Sequence, residues 1–114
     1  MRLVGGGRMG GAVTYLRMTV AEWDVDLDTP EGERLVDLIR STGVEVFRQQ
    51  PGFIRYRLMR AGPMKSIAVA EWESEEQGIH GAGNYRAWLE TAGIRNHITM
   101  ATEAGTVLVS AEPR

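Results

Sequence analysis

From Thr14 to Trp23 the chain alternates, with apolar Leu16, Met18 and Val20 interleaved with Tyr15, Arg17 and Thr19. A period of two predicts a half-buried strand. Asp28 or Thr29 then stands where a helix N-cap belongs, with Pro30 at the first position and Glu31 and Glu33 in the electropositive first turn. Leu35, Leu38, Ile39, Val46 and Phe47 recur at helical spacing and predict one helix to about Gln50, where Pro51-Gly52 stops it. Phe53 to Arg60 and Ser66 to Glu73 read as two strands, joined by an Ala61-Gly-Pro-Met64 connection short enough for an antiparallel hairpin. Ser74 opens a polar helical stretch, expected to break at Gly78, Gly81 and Gly83 and to resume from Asn84 to Ala92. Gly105 to Ala111 is the expected closing strand.

The order β-α-β-β-α-β predicts an α+β, ferredoxin-like antiparallel sheet with two helices on one face. The other sheet face then needs a cover, and a second copy packed sheet to sheet is the expected one, making a homodimer. With 114 residues there is material for one core. The glycine-rich residues 1–13 are expected to form a flexible tail, and 14–114 the domain. The tail spells Gly5-x-Gly7-x-x-Gly10, but a strand follows it where a dinucleotide loop needs a helix.

Composition narrows the chemistry. The chain has no cysteine, which removes thiol nucleophiles, disulfides and zinc ribbons and fits a cytoplasmic setting. A net charge of −2 argues against nucleic acid or an anionic membrane as partner. Asp24, Asp26 and Asp28 open like a calcium loop, yet Thr29 stands where the glycine belongs and Leu35 where the closing glutamate belongs. No nucleophile elbow, P-loop or metal-ligand spacing is present.

Pro51-Gly-Phe53 at the start of the second strand and Trp72-Glu-Ser74 at the end of the third resemble the antibiotic-biosynthesis monooxygenase family of dimeric α+β barrel proteins. The resemblance implies a cofactor-independent monooxygenase that uses molecular oxygen on a small planar aromatic phenol, quinol or polyketide-type intermediate. Such a protein binds, deprotonates and shields a substrate that itself reduces oxygen. In that branch Trp72 would lie in the pocket. An asparagine would stand at Ala68 and an aromatic at Gly78, and an arginine would follow on the second helix, a region flanked by Arg86 and Arg95. A second branch degrades haem, but its histidine would fall at Glu90 and its second tryptophan at Gly81. A dimeric module that only binds a small ligand is the alternative from another class.

Residue by residue, Trp72 shares a strand face with Ala68 and Ala70, so a large ring beside two methyl groups leaves volume for a ligand or for helix packing. Tyr56 puts a hydroxyl at the border of an apolar face, and His80 places an imidazole in the glycine-interrupted helical stretch. These two are the candidate proton-handling groups, with Arg86 as anion stabiliser and Asn84, Tyr85 and Trp88 at the pocket rim. Arg17, Arg55 and Arg57 are expected to pair with Glu71 and Glu73 across the sheet.

Overall fold

The computed structural model describes residues 13–114. The Gly5-x-Gly7-x-x-Gly10 run, and with it the expected tail apart from Val13, lies outside the described residues. Strand β1 (Tyr15–Trp23) leads to helix α1 (Pro30–Leu38), a π-helical turn (Ile39–Gly43) and helix α2 (Val44–Arg48). The hairpin β2 (Phe53–Gly62) and β3 (Lys65–Trp72) follows, then helix α3 (Glu75–Thr91), a 3-10 turn (Arg95–His97) and β4 (Ile98–Thr106). The sheet order is β2-β3-β1-β4 with every pairing antiparallel, which is the ferredoxin-like arrangement. No described helix is long and apolar enough to cross a membrane.

Local chemistry explains the helix starts. Thr29 caps α1 by accepting from the Gly32 N–H, and Ser74 caps α3 by accepting from the Gln77 N–H. Three boundaries differ from the sequence expectation. Helix α3 runs unbroken through Gly78, Gly81 and Gly83. Two of these glycines are packing devices: a Cβ on Gly78 would stand 2.6 Å from Cδ2 of Tyr15, and one on Gly81 2.5 Å from Cζ3 of Trp72. The helix therefore lies directly on two buried rings. The first helical segment is a helix with a π turn in it, and a Cβ on Gly43 within that turn would meet the ring of Trp88 at 2.8 Å.

The closing strand is Ile98–Thr106 and not Gly105 to Ala111. Its inward residues are Ile98, Met100 and Thr102, while small or polar Thr99, Ala101 and Glu103 face outward, so its apolar signal is weak. The Val107-Leu-Val run that looked strand-like lies past the ladder, which ends where the Val107 N–H donates to the Thr14 carbonyl at 2.8 Å.

The most informative departure concerns β1. Its period is two, but the half turned toward the helices is Tyr15, Arg17, Thr19, Ala21 and Trp23. Leu16, Met18 and Val20 point to the uncovered face, beside Ile67 and Val69 of β3. Arg17 thus lies on the opposite face from Glu71, which instead accepts from the Thr14 hydroxyl at 2.7 Å. Its expected cross-strand ion pair does not form. Arg55 and Arg57 do lie on the uncovered face, Arg55 directly opposite Glu71, though no ion pair joins them among the described residues.

Candidate functional site

Two apolar clusters fill the layer between sheet and helices. One gathers Ala21, Trp23, Leu27, Leu35, Ile39, Leu89, Ile94 and Ile98, and the other Tyr15, Phe47, Ala70 and Trp72. A cavity of about 90 Å³ opens between them and draws its lining from both. At roughly 10–15 Å³ per water, it is far larger than a solvent defect.

All four strands contribute through alternate positions: Arg17 and Thr19 from β1, Tyr56 and Leu58 from β2, Ala68 and Ala70 from β3, Met100 and Thr102 from β4. Helix α3 contributes Ala82, Tyr85, Arg86 and Leu89, whose spacing of three and four puts them on one helix face. Ile39 of the π turn and Phe47 of α2 close the roof. The small side chains Ala68, Ala70 and Ala82 create the space, because larger ones would fill it.

One wall is aromatic. The Phe47 ring stacks on Tyr56 and Tyr85, with centroid distances of 4.3 and 4.2 Å. The two tyrosine hydroxyls stand 3.5 Å apart, at the outer limit of a hydrogen bond, so neither is committed to the other. Burial holds both phenols above their ordinary range, and for Tyr85 the neighbouring Tyr56 adds to the rise. Both are therefore neutral hydrogen-bond donors at physiological pH.

The opposite side is hydroxylic and cationic. Thr19 and Thr102 hydroxyls meet at 2.9 Å, and since one donates, the proton of the other is free for a ligand. Arg17 Nη1 donates to the Tyr15 hydroxyl at 3.2 Å. Ser66 accepts from Trp23 Nε1 at 2.9 Å, which fixes its oxygen.

Of the residues singled out from the sequence, the fold gathers Tyr56, Ala68, Tyr85 and Arg86 around this cavity. Trp72 does not reach the lining. It is 0% exposed beneath Gly81, and its Nε1 is the only buried side-chain nitrogen or oxygen without a partner among the described residues. Trp88 stacks on Tyr85 at 5.6 Å and supports it from outside the cavity. Asn84 is exposed and donates to Gln50 Oε1 at 2.8 Å, while His80 lies exposed on α3. Sequence reasoning missed Arg17, Thr19 and Thr102. The available signal was parity, because Arg17 and Thr19 share theirs with Trp23, the largest side chain of the strand.

No protein-family model matches the chain, and no curated protein matches it in sequence. Solved structures do match. SnoaB of Streptomyces nogalater, a cofactor-independent oxygenase, superposes with a TM-score of 0.67 at 14% identity, over 87% of this chain and 97% of that one. The monooxygenase from the gene ActVA-Orf6 of Streptomyces coelicolor, solved with the ligand nanaomycin D, gives 0.69 at 20% identity, over 90% and 95%. A dimeric ferredoxin-like protein from an uncultured marine organism gives 0.65 at 11% identity, over 90% and 94%. The chain has their fold. A structure from Nitrosomonas europaea described as an antibiotic biosynthesis monooxygenase is among the matches too, with a TM-score of 0.61 at 13% identity, and at these identities the likeness is one of architecture.

Proposed function

We propose that the protein is a cofactor-independent monooxygenase that oxidises a planar aromatic phenol or quinol in the cavity between the sheet and α3. The observation that carries this reading is the lining itself: stacked aromatic rings bearing two neutral phenols on one side, and hydroxyl and cationic guanidinium donors on the other. The activities described for SnoaB and for the ActVA-Orf6 protein support the reaction class.

An electron-rich phenol bound against Phe47 and Tyr85 ionises most easily where its oxygen meets a guanidinium, and Arg86 supplies one. The resulting carbanion passes an electron to oxygen, the substrate radical and superoxide recombine to a peroxide anion, and this takes up the proton released in the ionisation, by way of solvent, to give a hydroperoxide. Loss of water from it leaves the quinone, so that a CH₂ group and O₂ become C=O and H₂O. Tyr56 and Tyr85, held protonated, would donate hydrogen bonds to the oxygens that acquire charge.

The proposal includes a homodimer, with the uncovered apolar face of the sheet as its interface. It also includes a cytoplasmic location, which the cysteine-free sequence supports.

The test is oxygen uptake by purified, metal-free protein with a panel of anthrones and naphthoquinols. Saturable uptake is expected, with kcat/KM about tenfold to a hundredfold lower in Arg86→Gln and a smaller loss in Tyr85→Phe. Uptake at the uncatalysed rate across the panel overturns the oxygenase reading and leaves a ligand-binding module.

A further inference from the structure

Among the described residues two guanidiniums line the cavity, those of Arg17 and Arg86, and no aspartate or glutamate does. Neither arginine takes part in an ion pair among the described residues, whereas Arg34, Arg40, Arg48 and Arg60 each hold a carboxylate. The missing counter-charge cannot come from residues 1–12, which contain no acidic residue.

Arg17 is the more demanding of the two. It is fixed on a central strand, beneath the helices and half-buried, with the Tyr15 hydroxyl as its one side-chain partner among the described residues, and a phenol oxygen leaves most of a guanidinium's five donors unused. A cation withdrawn from water without a partner is costly, and sequences place one there only where something offsets it. Arg86, by contrast, sits on the exposed edge of α3 and can be solvated. Thr19, two residues along β1 on the same face, and Thr102 beside it add a free hydroxyl proton. Guanidinium and hydroxyl at this end of the cavity thus both have donors to offer a ligand.

We propose that Arg17 binds a carboxylate carried by the substrate, so that the preferred ligand is an aromatic acid: a planar phenol or quinol whose ring lies against Phe47 and Tyr85. The inference rests on the reading of this cavity as the substrate site. A planar guanidinium and a planar carboxylate match as a bidentate pair, which fixes the ring's orientation as well as adding affinity. Arg86 is then left to the phenolic oxygen, and the two cations divide the ligand's two acidic groups between them. Arg17 is a specificity residue in this scheme and takes no part in the electron transfer.

The experiment compares binding of 1-hydroxy-2-naphthoate with that of its uncharged isostere 1-hydroxy-2-naphthamide, by calorimetry or quenching of tryptophan fluorescence, in the absence of turnover. The wild type is expected to prefer the carboxylate by roughly tenfold to a hundredfold. In Arg17→Gln the ratio of the two affinities should collapse toward one, and Arg17→Lys should restore part of it. Equal affinities in the wild type overturn the proposal without reference to any variant, as does a preference that survives Arg17→Gln. Failure of both compounds to bind overturns it together with the assignment of the cavity. Oxygen uptake decides the other question: preferential binding without uptake sinks the oxygenase and leaves the acid site standing, and uptake with equal affinities does the reverse.

Discussion

Tyr56 and Tyr85 owe their chemistry to where their rings are held. Stacked on Phe47 and shielded by α3, each phenol would ionise without water to hydrate it, and among the described residues no cation is bonded to either oxygen to compensate. The consequence for stability follows from proton counting. Below the ordinary phenol value of 10.0 both folded and unfolded chains keep these protons, and the contribution is intact. Above it the unfolded chain releases protons that the fold retains, so stability falls as pH rises, by at most about 1.4 kcal/mol per pH unit for each tyrosine. The alkaline window is unusually clean because the chain has a single lysine, Lys65. Thermal unfolding followed from pH 9 to 12 should decline less steeply in Tyr85→Phe than in wild type. Parallel curves would mean that the Tyr85 hydroxyl ionises as freely in the fold as out of it.

At the scale of elements, α3 shows how one residue type carries two meanings. Gly81 meets the fully buried ring of Trp72, whereas nothing lies within 4 Å of the position a Cβ on Gly83 would take. The same substitution, two residues apart, should therefore change sign. Gly83→Ala gains the helix propensity of alanine, about 1 kcal/mol. Gly81→Ala gains that too but forces a close-packed indole to move, a net loss of roughly 1–3 kcal/mol. Chemical denaturation of the two variants measures both, and destabilisation by Gly83→Ala would mean that the helix needs a break there after all. The sequence pattern favoured that break because glycine count, not what each glycine touches, is what a sequence displays. Similar reasoning covers the rest of the fold. β1, β2, β3 and the cap of α3 were legible because alternation, Pro51-Gly52 and Ser74 are local signals. β4 was displaced because its outward residues are small and polar, and the true apolar run follows it. Tyr56 and Ala68 were legible from strand parity, Tyr85 as a residue at the rim, and Arg86 through the family resemblance. Arg17 was not, since a polar strand face ordinarily means water, and only the tertiary structure places a helix over it.

For the whole molecule, the inversion of β1 has a second half. With Arg17 and Thr19 turned inward, the uncovered side of the sheet carries Leu16, Met18, Val20, Ile67, Val69 and Met59, of which Met18 is 40% and Met59 55% exposed. An apolar patch centred on the two middle strands is a surface that seeks a partner. Its flanks are charged in opposite senses, with Arg55 and Arg57 on edge strand β2 and Glu103 on edge strand β4. Charge thereby selects among symmetric arrangements. A two-fold axis perpendicular to the strands would stack β2 on β2 and oppose arginine to arginine. An axis along the strands lays β2 of one copy over β4 of the other and pairs basic edge with acidic edge, the arrangement that electrostatic complementarity favours. Light scattering at micromolar concentration should accordingly give twice the chain mass of 12.6 kDa, and Met18→Lys with Val69→Lys should give the single mass. Reversing one flank with Arg55→Glu and Arg57→Glu should weaken the dimer, and adding Glu103→Arg to the same chain should strengthen it again, since each acid would then face a base. A restored dimer in the triple variant is the result that only the strand-parallel axis predicts. A monomeric wild type, or a dimer indifferent to all three charges, would leave the apolar face without the partner assigned to it.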